Sequence, residues 1–165
     1  MNMLVTVGKN WTIGNGGQRL VSIPEEQKLL REETLGKAVV MGRKAFEQLP
    51  GKQPLYGRDT FVLTRDPGFR PKGVTVCNSI EETLEELKSY PTEDIYILGG
   101  ESVFRQFLPF CHIIHVTFID YAYQGDAVFE NLDQSEQWQM VLESEEQTYF
   151  NLCYSFRMYQ RKISE

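Results

Sequence analysis

The chain has 165 residues, 41% hydrophobic and 24% charged, the composition of an ordinary globular protein long enough to bury a core. That length predicts a single domain over residues 1–165. A formal net charge of −6 argues against general nucleic-acid binding, and no apolar run approaches the length of a membrane span.

Cys77, Cys111 and Cys153 are odd in number and far apart. With residues 1–8 reading as a strand rather than a signal peptide, they predict free thiols in a cytoplasmic protein. The only two histidines, His112 and His115, fall in one apparent strand. Neither a His-based metal site nor a Ser-His-Asp triad is therefore supported.

Met3–Val7 reads as a buried strand. It leads into Gly8–Gln18, read as a long loop with glycines at 8, 14, 16 and 17. Such a loop is either a flap over a site or a plain surface excursion, and this stretch alone does not choose. Ser22 and Glu25 have capping-box spacing ahead of a helix that carries Pro24 in its first turn. On that helix Glu26, Leu29, Leu30 and Glu33 share one face, so Glu26 sits beside the only apolar residues the helix has to bury. A first-turn glutamate also answers the helix dipole, which explains Glu25 better than Glu26.

Ala38–Met41 forms the next buried strand and runs into Gly42-Arg43-Lys44 and a short helix over Ala45–Leu49. Thr60–Leu63 is a strand that ends in Thr64-Arg65. Two parallel-looking strands thus each deliver cations at their C-terminal ends, the edge where ligands bind in open α/β sheets. Val74–Val76 is a fourth short strand, and Ser79–Tyr90 an amphipathic helix. Ile95–Leu98 is a continuous apolar strand that stops at Gly99-Gly100. A helical pattern follows at once, with Val103, Phe104, Phe107 and Leu108 on one face. A strand, two glycines and a helix start bring a backbone close to a bound phosphate. A tight turn that needs glycine explains the same letters, and without G-x-G-x-x-G there is no Rossmann fingerprint. His112–Ile119 is a long strand. Trp138–Leu142 and Leu152–Arg161, with only the polar Glu143–Asn151 segment between them, are expected to pair antiparallel.

Several stretches together resemble bacterial dihydrofolate reductase. They are the N-terminal strand with Ile13-Gly14, Ile23-Pro24-x-Glu26, Val39-Val40-Met41-Gly42-Arg43, Leu63-Thr64-Arg65, Ile97-Leu98-Gly99-Gly100, Thr117-x-Ile119-Asp120 and Gly125-Asp126. No one of them is specific; their order and spacing over essentially the whole chain carry the resemblance. It implies an α/β fold: one domain with an eight-stranded, mainly parallel mixed sheet, about four flanking helices and a C-terminal antiparallel hairpin. It also implies NADPH as cofactor, dihydrofolate as substrate and antifolates as inhibitors, and for a chain this compact a monomer is the expectation.

Carried over by resemblance, Glu26 is the acid of the pterin pocket and Thr117 its partner. Val5, Thr6, Leu30, Leu49, Leu55 and Leu98 line the substrate, and Arg58 clamps the carboxylate of its glutamate tail, a role suited to a bidentate donor. Arg43, Lys44, Ala45, Thr64 and Arg65 fall where the cofactor's phosphates are held. Val7, Ile13, Gly14, Ser102, Val103 and Phe104 complete the cofactor set, with Gly99 and Gly100 as a pair joined by a cis peptide. Three positions depart from the family: Val21 replaces a tryptophan, Ala45 a threonine and Phe104 a tyrosine. Two other readings remain: a riboflavin-pathway pyrimidine reductase, and a folate- or nucleotide-binding relative impaired in catalysis. Arg58 and Glu26 favour folate over the first of these.

Overall fold

The computed structural model describes residues 1–163. Its strands are β1 (Asn2–Gly8), β2 (Thr12–Asn15), β3 (Gln18–Arg19), β4 (Ala38–Gly42), β5 (Asp59–Leu63), β6 (Val74–Cys77), β7 (Ile95–Ile97), β8 (Ile113–Ile119), β9 (Ala127–Val128), β10 (Trp138–Glu143), β11 (Gln147–Tyr149) and β12 (Leu152–Arg161). Four α-helices occur among the described residues: α1 (Pro24–Thr34), α2 (Arg43–Glu47), α3 (Ile80–Glu86) and α4 (Glu101–Phe107). None is long and apolar enough to cross a membrane.

The main sheet runs β10-β12-β8-β1-β7-β4-β5-β6, with β11 added against β12. Every pairing from β8 across to β6 is parallel, and β12 pairs antiparallel with both β8 and β10. This is the expected mainly parallel mixed sheet with its antiparallel C-terminal hairpin. The central strands show why they read so plainly in the sequence. Along β4, Ala38 and Val40 pack into one cluster with Met3, Val5, Ile97, Phe107 and Ile114. Val39 and Met41 pack on the opposite face with Phe46, Val62 and Tyr96. Side chains alternate across a strand, so one covered on both faces must be apolar at every position.

The helix starts divide. Ser79 caps α3, its Oγ accepting from the Glu82 N–H at 3.0 Å, while the Glu82 carboxylate accepts from the Asn78 N–H at 2.8 Å. Ser79→Ala is expected to cost about 1 kcal/mol, a fall of roughly 2–4 °C in Tm measurable by calorimetry; an unchanged Tm would show the cap to be idle. The capping box expected at Ser22 does not form. Ile23, fully buried, occupies the N-cap of α1 with no side-chain cap, and Pro24 follows in the first turn. Burial of the isoleucine sets the entry of this helix. The α2 helix begins two residues before its expected start, and α3 gives way to a 3-10 turn over Leu87–Ser89 rather than continuing to Tyr90.

Two expected connectors contain strands. Within Gly8–Gln18, β2 and β3 form a hairpin in which Asn15 pairs with Gln18 and Gly14 with Arg19. Gly16 and Gly17 form its two-residue turn at φ +60° and +81°, a primed geometry that glycine adopts at no steric cost. β9 joins the other side of β2, making a small sheet β3-β2-β9. Within Glu143–Asn151, β11 folds back on β12.

Candidate functional site

A cleft of about 1140 Å³ lies along the C-terminal edge of the main sheet, between the β2–β3 hairpin and helices α1, α2 and α4. From β8 to β6 the sheet takes five interstrand steps of ~4.8 Å, so a ligand lying along this edge has roughly 24 Å of length available.

At the β8 end the wall is largely apolar and carries one buried carboxylate. Leu30, Leu49, Leu55 and Leu98 line it, with Val5 and Thr6 from β1. Glu26 enters from α1 and is only 6% exposed. Its Oε1 accepts from the Arg19 guanidinium and from Gln27 Nε2 at 3.1 Å, whereas its Oε2 is buried and unpartnered. A buried polar atom without a partner carries a desolvation cost that an incoming donor removes. Thr117, buried and in register with Thr6 across the β1–β8 pairing, lines the same wall. No hydrogen bond joins it directly to Glu26 among the described residues. His115, two residues earlier, also reaches the cleft and stacks on Tyr96 with ring centroids 6.5 Å apart. Burial pushes its pKa down, against an opposing pull from Glu33. The Tyr96 hydroxyl donates to Glu33 at 3.2 Å, and burial, reinforced by Glu33, raises its pKa to about 12.

The other end of the cleft is basic and glycine-lined. Arg43, Lys44, Ala45, Thr64, Arg65, Gly100, Ser102, Val103 and Phe104 border it, while Ile13 and Gly14 of β2 line the cleft nearer β1. The cations there are not equivalent. Arg43 donates to Glu47 at 2.8 Å and to Asp66 at 2.7 Å and lies over the Phe69 ring. Those two carboxylates raise its pKa and absorb its charge. Lys44 and Arg65 are exposed, and neither enters an ion pair among the described residues. The Gly99–Gly100 peptide is cis. The Gly42 N–H donates to the Gly99 carbonyl at 2.8 Å, tying the end of β4 to this turn. A Cβ on Gly99 would lie 2.9 Å from the Phe104 ring, but one on Gly100 would meet nothing within 4 Å. Gly100 therefore leaves open space where a ligand can approach backbone. The first helical bond of α4 runs from the Phe104 N–H to the Gly100 carbonyl, so the N–H groups of 101–103 precede the ladder. The unpaired cations and the bare backbone of this end suit an extended anionic dinucleotide.

Three expected site residues lie outside the cleft lining. Val7 is fully buried in the core, because alternation along β1 turns it away from Thr6. Gly99 is covered by Phe104. Arg58 spends its donors within the protein, on Thr34 Oγ1 at 3.0 Å, the Tyr56 carbonyl at 2.5 Å and the Arg31 carbonyl. Burial and the neighbouring Arg31 lower its pKa.

Sequence reasoning missed Arg19, Gln48 and His115. The hairpin that carries Arg19 is tied down at two further points: the Gly16 N–H donates to Asp126 at 3.1 Å, and Gln48 Nε2 donates to the Gly17 carbonyl. A Gly-Gly pair between two short segments is itself a hairpin signal, and reading it so would have placed Arg19 on a strand rather than in a loop.

The dihydrofolate reductase family profile matches residues 1–161. The chain belongs to the dihydrofolate reductase family. It is 39% identical to the dihydrofolate reductase of Enterococcus faecium over 126 residues, 76% of this chain and 74% of that one. It is 32% identical to the type A13 dihydrofolate reductase of Escherichia coli over 160 residues, 97% and 93% of the two chains. Among solved structures it is similar to the dihydrofolate reductase from Enterococcus faecalis complexed with NADP(H) and RAB-propyl. The TM-score is 0.84 and the identity 28%, over 98% of this chain and 96% of that one. Family membership places the departures at 21, 45 and 104 on an intact scaffold: Val21 and Ala45 pack against the fold's clusters, and Phe104 is buried against Phe129.

Proposed function

We propose that the chain is an NADPH-dependent dihydrofolate reductase that reduces 7,8-dihydrofolate to 5,6,7,8-tetrahydrofolate for one-carbon metabolism. One observation carries the reading: a buried carboxylate with a free oxygen at the apolar end of a long cleft whose other end carries unpaired cations. Bound NADPH supplies a hydride for C6 of the pterin. Glu26 holds the two-donor amino-pyrimidine edge and favours the N5-protonated substrate, the proton coming from solvent. Thr117 steadies that edge from β8. Leu30, Leu49, Leu55 and Leu98 exclude water from the rings, and Val5 and Thr6 form the floor. Arg58, at the rim, takes the tail carboxylate by exchanging backbone carbonyls for a charge-assisted pair. Lys44 and Arg65, with Thr64, hold the 2′-phosphate, and Gly100 and Ser102 admit the pyrophosphate. The protein acts as a cytoplasmic, single-domain monomer without a metal.

The test is NADPH oxidation by the purified protein with and without dihydrofolate. Oxidation only with dihydrofolate is the expected result. Tight folate binding without oxidation at any pH would establish an impaired relative, and oxidation with a phosphoribosyl-pyrimidine instead would establish a riboflavin-pathway reductase.

A further inference from the structure

We infer that Arg19 is a specificity-determining residue: its guanidinium occupies the Glu26 carboxylate as an internal stand-in for the ligand's two-donor edge, and every ligand that needs Glu26 must displace it. The inference rests on Glu26 being the ligand's anchor, as proposed above.

The geometry favours a displaceable contact over a permanent one. Arg19 closes the β2–β3 hairpin, and the ties from Asp126 to Gly16 and from Gln48 to Gly17 hold that hairpin against the cleft. The arginine side chain is 46% exposed and the glutamate side chain 7%. Releasing the pair returns Arg19 to water at little cost but strips the main partner from a buried carboxylate. The contact is also one-sided. A planar guanidinium fork suits both oxygens of a carboxylate, yet only Oε1 is engaged and Oε2 stays buried and unpartnered. A pyrimidine edge with adjacent ring and exocyclic N–H donors satisfies both oxygens, so it wins the exchange. Its apparent Kd is nonetheless raised by the fraction of protein in which Arg19 is in place, since Kd,app equals the intrinsic Kd divided by the competent fraction. The penalty falls hardest on ligands that bind as cations. They seek the charge that Arg19 already neutralises, and any lag in its departure sets two cations side by side.

The experiment measures the Kd of 2,4-diamino-5-benzylpyrimidine for the full chain, with and without NADPH, in the parent, Arg19→Met, Glu26→Gln and the double variant. Arg19→Met keeps the apolar stem and removes the charge. It is expected to tighten the probe by about tenfold, and to change Kd less than about twofold when Glu26 is already glutamine. An unchanged or weaker Kd in Arg19→Met overturns the inference, as does a gain that persists without Glu26. Should Arg19→Met fail to fold, the ligand-free pair is read from the 15N-labelled arginine side-chain signals of the parent and Glu26→Gln. Restricted Arg19 rotation in the parent alone supports the inference; free rotation in both overturns it. Failure of dihydrofolate-dependent NADPH oxidation, with the Glu26-dependent gain intact, would sink the folate assignment and leave the Arg19 contact standing.

Discussion

Glu26→Gln is expected to cut hydride transfer to dihydrofolate by about 10²–10⁴-fold at neutral pH, the range of a lost acid–base contribution. Glu26 is the one carboxylate buried at the apolar end of the cleft, and glutamine keeps its size while losing the charge that favours a protonated pterin. NADPH binding should survive, because the unpaired cations and Gly100 lie at the other end. Part of the activity should return as pH falls, when solvent protonates the substrate directly. Single-turnover NADPH oxidation across pH measures all three. Parent-like turnover at neutral pH would reduce Glu26 to a helix-start glutamate.

Arg65→Glu is expected to weaken NADPH binding by roughly 10–150-fold while leaving NADH binding nearly unchanged, the effect of one charge-assisted contact worth ~1.5–3 kcal/mol. Arg65 and Lys44 carry this prediction rather than Arg43, whose charge is already answered by Glu47 and Asp66. Charge reversal at Arg43 should instead disturb both cofactors alike, since it breaks the tie between α2 and the segment after β5. Titrating both cofactors against each variant separates these outcomes. Equal loss of NADH and NADPH in Arg65→Glu would assign Arg65 to the pyrophosphate or to the scaffold.

The parts of the chain that read correctly are those in which one local rule suffices. Ala38–Met41 and Ile95–Ile97 are covered on both faces, so every residue is apolar and the strand is visible without its neighbours. The antiparallel pairing of β10 with β12 follows from a connection too short for a crossover helix. The basic strand ends and the Gly-Gly turn point to the sheet edge that the cleft follows for the same reason: they sit where consecutive parallel strands stop. Four short strands were missed, and of these only β2 and β3 carried a local signal, the Gly16-Gly17 pair between them. β2, β3, β9 and β11 have two to four residues each, and their partners are chosen by the fold. The pairing of Thr12 with Val128 spans most of the chain and leaves no local pattern. At Ser22 a correct capping spacing was outweighed by the burial of Ile23.

By itself the sequence determined the order of the main elements and the sheet edge along which the cleft runs, because periodicity and strand ends are local properties of the chain. Only the tertiary structure decided which charges are available. It paired Arg43 with Glu47 on its own helix and Asp66 beyond β5, tied the Arg58 donors to Thr34 Oγ1 and two backbone carbonyls, and folded Arg19 across seven positions onto Glu26. A charge's partners depend on distances of a few ångströms between segments remote or oddly spaced in sequence, and no spacing rule encodes them.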